Sequence, residues 1–304
     1  MKLVFTFLQF VGLLTSTSLL AQTNPLWHEQ KIKNYLPHMT VPEVRELLNK
    51  TDMVIIPVAA LEQHGLHLPI GTDFLNGVEE AKLIAQQTDV LVAPVLLAGQ
   101  SPYHMGFPGT ISISSETIVQ VHLEAVKSLL QHGFKRFLIL NAHAGNRATS
   151  SFLIDRINQE TAGIAVDLSE GAAPFRQKSA TPKSTVFDRH AGVGETSSAL
   201  YLIPSLVNLP QAEKAKLTLP PHLQAMLPAV VAGDPTANLV FLAEGLKAKE
   251  TGKKTSSAEM STTGVWGIRD PKEATAAQGR AATENFVNAA VAFIQKWKEL
   301  RPTK

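Results

Sequence analysis

The chain has 304 residues, of which 44% are hydrophobic and 18% charged, and its formal net charge is +2. A chain of this length and apolar content can bury a large core, which excludes a disordered protein, and its nearly balanced charge offers nothing to attract nucleic acid. The absence of cysteine excludes disulfides, thiol nucleophiles and cysteine-ligated metal centres, so any metal ion must bind to His, Asp or Glu.

The first 21 residues have the features of a secretory signal peptide. Lys2 supplies a positive charge, residues 3–20 form an uncharged and mostly apolar run, and Ala21 offers a cleavage point. A retained membrane anchor is the alternative, because the run approaches the length of a membrane-spanning helix. Its polar residues, among them Gln9, argue against an anchor. We therefore expect export to the periplasm or medium, with no stable membrane insertion after cleavage and with residues 22–304 forming one catalytic domain.

Apolar runs alternate with amphipathic stretches along the rest of the chain. The predicted strands are Met53–Val58, Val90–Leu97, Phe137–Leu140 and Gly163–Asp167, and the predicted helices are Phe74–Gln87, Ser115–Gln131, Ala148–Glu160 and Ala274–Glu299. Continuous apolar strands separated by helices favour a mainly parallel sheet covered on both faces. We therefore predict an α/β fold, a three-layer α/β/α sandwich. Residues 210–263 are rich in Pro, Ala, Lys, Thr and Ser, and we interpret them as an irregular excursion with one helix.

Metal-ligand side chains follow directly after the first predicted strand. Glu62, His64 and Asp73 lie within twelve positions, where open α/β folds place their ligand sites. In an extended segment, residues two apart point to the same side, so Glu62 and His64 can face one pocket. The alternative is that His64 and His67 are turn residues with satisfied hydrogen bonds.

The third predicted strand also runs into a polar turn, which contains Asn141, His143 and Asn146. Asn and Gly permit a tight backbone path and place His143 at the mouth of the sheet. There it would serve as a metal ligand or as a proton carrier. Asn141 and Asn146 are expected to line the pocket beside it.

Two further segments carry candidate site residues. His190 and Glu195 flank a Gly-x-Gly sequence, although Glu195 could simply interact with the positive end of a helix. His104 and Phe107 lie in a loop rich in Gly and Pro and are predicted to line the pocket. The chain lacks a Gly-x-Ser-x-Gly elbow, a Walker loop, a Gly-x-Gly-x-x-Gly sequence and a His-Glu-x-x-His sequence.

Five segments in order resemble the signatures of the creatininase (creatinine amidohydrolase) family. They are Glu62-Gln63-His64-Gly65 with His67-Leu68-Pro69 and Asp73; Phe107–Ser112; Asn141-x-His143-x-Gly145-Asn146; His190-Ala191-Gly192 with Glu195-Thr196-Ser197; and Gly264–Gly267 with Asp270-Pro271 and Ala274–Ala276. The resemblance covers about Thr40 to Lys298. It implies an α/β sandwich, hydrolysis of a C–N bond in a cyclic or linear amide by a metal-activated water, and assembly as a homo-oligomer, often a hexamer.

The resemblance also implies a site with two divalent metal ions. Asp73 would bridge the two ions, Glu62 and His143 would hold one, and His64 would help to hold the other. His190 matches the catalytic histidine of the family, which carries a proton to the leaving nitrogen. Oxygen and nitrogen ligands suit Zn, Mn, Fe or Mg.

The chain departs from the pattern of creatininase at one metal ligand. Creatininase has a further carboxylate two residues after the histidine of the second motif, and Gly145 stands there in this chain. We expect Glu195 to complete the second metal site instead and to take part in catalysis.

A second departure concerns the substrate. Creatininase stacks its flat substrate on tryptophans, one of them just upstream of the catalytic histidine, whereas Thr185–Asp188 contains none and Trp27, Trp266 and Trp297 are distant in sequence. We therefore expect a small amide other than creatinine. Two other interpretations stay open: a non-catalytic exported protein that binds a small ligand or a metal, and an enzyme that processes peptides.

Overall fold

The computed structural model describes residues 29–177, 187–245 and 256–302, together with Asn24. The predicted signal peptide and Trp27 lie outside the described residues. Residues from Ile32 onward form one compact unit. Within the described ranges, no helix is both long enough and apolar enough to span a membrane.

Four parallel strands form the central sheet. They are β1 (Met53–Val58), β2 (Leu91–Val92), β3 (Arg136–Asn141) and β4 (Ile164–Asp167), in the spatial order β2-β1-β3-β4. β1 and β3 pair along their whole length, from Met53 opposite Arg136 to Val58 opposite Asn141. The segments that follow these two strands therefore leave the sheet side by side at its carboxyl edge.

Ten helices surround the sheet in the described part of the chain. They are α1 (Val41–Leu48), α2 (Thr72–Thr88), α3 (Ser115–His132), α4 (Arg147–Glu160), α5 (Leu168–Ala172), α6 (Val193–Leu202), α7 (Pro221–Val231), α8 (Pro235–Gly245), α9 (Ser256–Met260) and α10 (Ala276–Leu300). Alternate residues of β1 face opposite sides, as the strand period of two requires. Val54 and Ile56 pack in one core cluster with residues of α3 and α4, and Met53 and Ile55 in another with residues of α2, α5 and α10. The predicted α/β fold with helices around a mainly parallel sheet is thereby confirmed.

A second, small sheet lies outside the central one. Its strands are β5 (Asp188–His190) and β6 (Trp266–Gly267), which pair antiparallel with His190 opposite Trp266. Phe187, Phe241 and Trp266 pack together in a third core cluster with residues of α7. This cluster joins the segment around His190 to the helices of residues 210–263.

Two predictions of local structure are wrong. The strand predicted at Val90–Leu97 is only the two residues Leu91–Val92, since the chain meets Pro94 there and proline has no N–H for a sheet ladder. The described part of the excursion holds three helices, α7, α8 and α9, not one. Its prolines concealed the helices in the sequence, because Pro221 and Pro235 are tolerated in the first turn, where backbone N–H groups have no intrahelical acceptor.

Candidate metal centre

Carboxylates and imidazoles meet at the carboxyl edge of the sheet. Glu62 and His64 follow β1, His143 follows β3, and Asp73 is the second residue of α2. All four are at most 8% exposed. A parallel sheet brings its strand ends together at one edge, so the predicted residues converge although they come from separate segments.

The cluster contains two groups of possible ligand atoms, and Glu62 belongs to both. The first group is Glu62, Asp73 and His143, and the second is Glu62, His64 and His190, with the ligand atoms of each group within 4.8 Å of one another. Asp73 reaches towards both groups: its Oδ2 lies 3.0 Å from His143 Nδ1 and its Oδ1 lies 3.2 Å from His64 Nε2. Glu62 is thus the residue common to the two groups, and the bridging role of Asp73 stays a prediction.

Each of the three histidines is anchored by a backbone carbonyl. His64 Nδ1 donates to Glu62 O over 3.1 Å, His143 Nε2 to Gln100 O over 3.1 Å, and His190 Nε2 to Gln63 O over 2.6 Å. A carbonyl oxygen only accepts hydrogen bonds, so these nitrogens carry the hydrogen. The other nitrogen of each ring faces the cluster, which is the usual arrangement of a metal-ligating histidine and its outer partner.

Two buried atoms that form no aligned hydrogen bond test whether a metal ion fits. His64 Nε2 and Asp73 Oδ2 are buried and have no hydrogen-bond partner, although other polar atoms lie within 3.2 Å of each. Buried polar atoms without partners are rare and costly. The ligand atoms of one metal ion lie close together, but they point at the ion and not at one another, which is the arrangement seen here. The residues therefore fit a divalent ion with nitrogen and oxygen ligands.

The electrostatics of the metal-free cluster depend on Asp73. Burial opposes protonation of His64, but the nearby Asp73 carboxylate outweighs burial and raises the pKa of His64 to about 10. Burial also opposes protonation of His143, and its contact with Asp73 raises that pKa to about 9. Burial and the charge of Asp73 raise the pKa of Glu62 to about 7. The positive charges of the two protonated histidines thus balance the negative charge of the carboxylates, a role that bound metal ions would take over.

His190 differs from the other two histidines. Burial, reinforced by the positive charge of His64, lowers its pKa to about 3, so the ring is neutral. Its Nδ1 lies 3.7 Å from Glu62 Oε1, and its ring stacks on His104 with 4.3 Å between centroids. The structure therefore places His190, predicted as a proton carrier, also within reach of the second group of ligand atoms.

Glu195 approaches the cluster without joining either group. Its Oε2 accepts a hydrogen bond from the Ala191 N–H over 2.6 Å and lies 3.8 Å from His64 Nε2 and 3.9 Å from His190 Nδ1. Ala191 has a φ of 51°, an unusual value for a residue with a side chain, and it turns the chain between His190 and Glu195. The role of Glu195 as a ligand stays a prediction.

A cavity of about 360 Å³ lies beside the cluster, and His104 lines it as predicted. Phe107 and Asn141 are not among its lining residues in the described part of the chain. Asn146 is fully buried and connects two loops, because it donates to Ala59 O over 2.8 Å and accepts from Gln100 N over 3.0 Å. Its role here is to hold the loops of the site in place.

Trp266 also lines the cavity, although it lies far from His190 in sequence. The pairing of β5 with β6 sets Trp266 directly opposite His190. The lack of tryptophan in Thr185–Asp188 therefore does not leave the pocket without one. Only the register of the small sheet could have revealed this neighbour.

Tyr103 is a site residue that the sequence analysis missed. A Cβ atom added to Gly145 would overlap both Tyr103 Oη and His143 Nε2. Tyr103 Oη itself lies 3.1 Å from His143 Nε2. The tyrosine hydroxyl thus takes the room that a side chain at position 145 would need, and no local sequence signal marks it.

This α/β architecture, with a histidine and carboxylate cluster at the carboxyl edge of its sheet, defines an α/β protein with a candidate metal centre. Within that class the chain belongs to the creatininase family, because the family profile described as creatinine amidohydrolase matches residues 37–294. The resemblance of the five sequence segments is confirmed, and the protein is a hydrolase of this amidohydrolase family.

Two curated relatives illustrate the family. The chain is 28% identical to the mycofactocin precursor peptide peptidase of Mycolicibacterium smegmatis, over 84% of this chain and 89% of the relative. It is 30% identical to the creatinine amidohydrolase of Pseudomonas putida, over 56% of this chain and 72% of the relative.

Solved structures agree in fold. A creatinine amidohydrolase (creatininase) structure superposes with a TM-score of 0.65 at 21% identity, over 89% of this chain and 99% of that one. Two other creatininase structures, one of a Zn–Zn type and one of a Mn form, match with TM-scores of 0.63 and 0.62.

Metal binding is expected to release protons. His64 and His143 have raised pKa values, so both are protonated at pH 7.5, and an ion must displace about two protons. The affinity for Mn²⁺ should rise as the pH increases from 6 to 9. Calorimetric titration in buffers of different ionisation enthalpy measures the proton count, and a count of zero contradicts the expectation. The control is His122→Gln, which changes a buried histidine of α3 outside the cluster. It should release the same number of protons as the unchanged protein.

Gly145→Ala is expected to weaken metal binding about 10- to 100-fold, the range seen when groups that orient a ligand are disturbed. The new methyl group would displace His143 or Tyr103. Calorimetry with Mn²⁺ tests this against Ala148→Gly, a change at an exposed residue of α4. Unchanged affinity in Gly145→Ala would show that this contact does not orient His143.

Proposed function

We propose that the protein hydrolyses an amide C–N bond in a reaction that depends on two divalent metal ions. The observation that carries the proposal is the buried pair His64 Nε2 and Asp73 Oδ2, which lie within 3.2 Å of other cluster atoms and yet form no aligned hydrogen bond. The membership of the chain in an amidohydrolase family supports the same reaction class.

The chain offers ligands for two sites that share Asp73. Glu62 and His143 would hold one ion with it, and His64 the other, with Glu195 as the further carboxylate. Bound divalent ions supply Lewis acidity for the amide carbonyl and lower the pKa of water towards neutrality. The anchored rings of His64 and His143 preorganise the donor atoms, so little rearrangement is needed on binding.

His190 is suited to carry the proton that the leaving nitrogen needs. An amide nitrogen is a poor leaving group unless it is protonated as the C–N bond breaks. The hydrogen bond from His190 Nε2 to Gln63 O leaves Nδ1 free on the cavity side, since His190 also lines the cavity. The low pKa of the ring means that it passes a proton on readily once it has accepted one.

The substrate we propose is a small cyclic or linear amide other than creatinine, or the end of a peptide. A cavity of about 360 Å³ can admit a group of this size. The match to a peptide peptidase over most of both chains favours a linear, peptide-type amide.

The test joins metal analysis to a screen of dipeptides, N-acylamino acids and lactams. We expect about two divalent ions per chain and metal-dependent release of amine in protein that starts at residue 22. Asp73→Asn should lose both ions and activity because it removes the shared charge. Asp155→Asn, at an exposed position of α4, should change neither. Turnover by metal-free Asp73→Asn would sink the proposal, and no turnover of any amide would favour a binding protein.

His190→Ala separates the two roles open to this histidine. If His190 is a proton carrier, the variant should keep two ions and lose turnover. If the variant loses one ion, His190 is a ligand of the second site.

We also propose export and assembly as a homo-oligomer, on the basis of the sequence of residues 1–21 and of the family resemblance. Intact mass and native mass of the protein from the periplasm or medium test both. A chain that still carries Met1–Ala21, or a native mass equal to one chain, would contradict the respective proposal.

A further inference from the structure

The cavity beside the cluster is lined by side chains that the proposed mechanism does not use. Arg147, Arg189 and Trp266 line it together with the cluster residues, and Leu242 adds an apolar contact. In the described part of the chain, neither arginine forms an ion pair within 4.0 Å of a carboxylate. These three residues lie in different structural surroundings.

Arg147 is the first residue of α4 and is exposed. No hydrogen bond or ion pair involves its side chain among the described residues. A positive charge at this end of a helix is disfavoured, because the backbone N–H groups there already carry partial positive charge. The helix dipole therefore does not stabilise the guanidinium of Arg147, and this charge remains available to an anion that enters the cavity.

Arg189 is held in place by the excursion. Its Nη2 donates to Asn238 Oδ1 over 2.7 Å, and Asn238 Nδ2 in turn donates to Asp234 O over 2.9 Å. The remaining donors of this guanidinium have no acceptor among the described residues. α8 thus fixes the orientation of Arg189 and leaves part of its planar fork available.

Trp266 also lines the cavity. Its side chain is buried, and Nε1 has no hydrogen-bond partner in the described structure. The ring is fixed by an edge contact with Phe241, at 6.2 Å between centroids, and by the pairing with β5. Because Nε1 itself is inaccessible, Trp266 offers a ligand the wall of its ring and not this donor.

We propose that this cavity selects amides that carry a carboxylate close to the scissile bond, as in an N-acylamino acid or at the C-terminus of a peptide. Arg147 and Arg189 bind the carboxylate, and the amide carbonyl faces the cluster. An arginine fork matches the two oxygens of a carboxylate and binds them with paired hydrogen bonds. The inference rests on the proposed function, because it assumes that the amide lies at the metal centre.

Two hydroxamates test it by binding, without turnover. Succinic acid monohydroxamate and butanohydroxamate have chains of the same length, and only the first ends in a carboxylate, three bonds from the carbonyl carbon as in an N-acylamino acid. Calorimetry with Mn²⁺-loaded protein should show about tenfold or greater preference for the carboxylate probe, the scale of a charge-assisted hydrogen bond. Arg147→Gln and Arg189→Gln should each reduce this preference at least threefold, by the same scale.

The controls separate the failure of this inference from that of the proposed function. Arg156→Gln, whose arginine is already paired with Glu160 on the exposed face of α4, should keep the preference. Butanohydroxamate should bind all variants equally, which shows that their metal centres are intact. Equal binding of the two probes to the unchanged protein, or a preference that survives both cavity variants, overturns the inference alone. Failure of Mn²⁺ to load, or of both probes to bind the loaded protein, overturns the proposed function and the inference with it.

Discussion

The anchoring of three imidazole rings by backbone carbonyls is the constraint on which the site depends. Each carbonyl accepts from one ring nitrogen of His64, His143 or His190 and so decides which nitrogen faces the cluster. The acceptors belong to Glu62, Gln63 and Gln100, in the loop after β1 and in the loop that leads to α3. Backbone atoms cannot change rotamer, so donor directions are fixed before any ion binds.

The sheet supplies the rigidity that this anchoring needs. β1 and β3 pair over six residues, and both are almost wholly buried. The loops after them start from fixed points, and Asn146 connects them further through Ala59 and Gln100. The space between the loops is tight: a Cβ at Gly145 would overlap Tyr103 Oη. Packing therefore requires glycine at position 145, because the hydroxyl of Tyr103 occupies the space that a side chain would need.

The irregular excursion contributes Leu242 to the cavity lining and supports two of the other lining residues. Leu242 of α8 lines the cavity, Asn238 orients Arg189, and Phe241 packs against Trp266. The candidate metal-ligand residues Glu62, Asp73 and His143 and the residue Leu242 of the excursion line the same cavity.

The sequence by itself determined the strand β1, the long helices, the family and the residues Glu62, His64, Asp73 and His143. Those features follow from local spacing in the sequence. The period of the apolar residues predicts a helix or a strand, and polar residues at the end of a strand mark the edge of a parallel sheet. Only the tertiary structure decided that Trp266 lies opposite His190. Tyr103 and Arg189 likewise entered the site through loop packing and through α8. Such neighbours are determined by strand register and by packing between segments distant in sequence, and neither can be predicted from local periodicity.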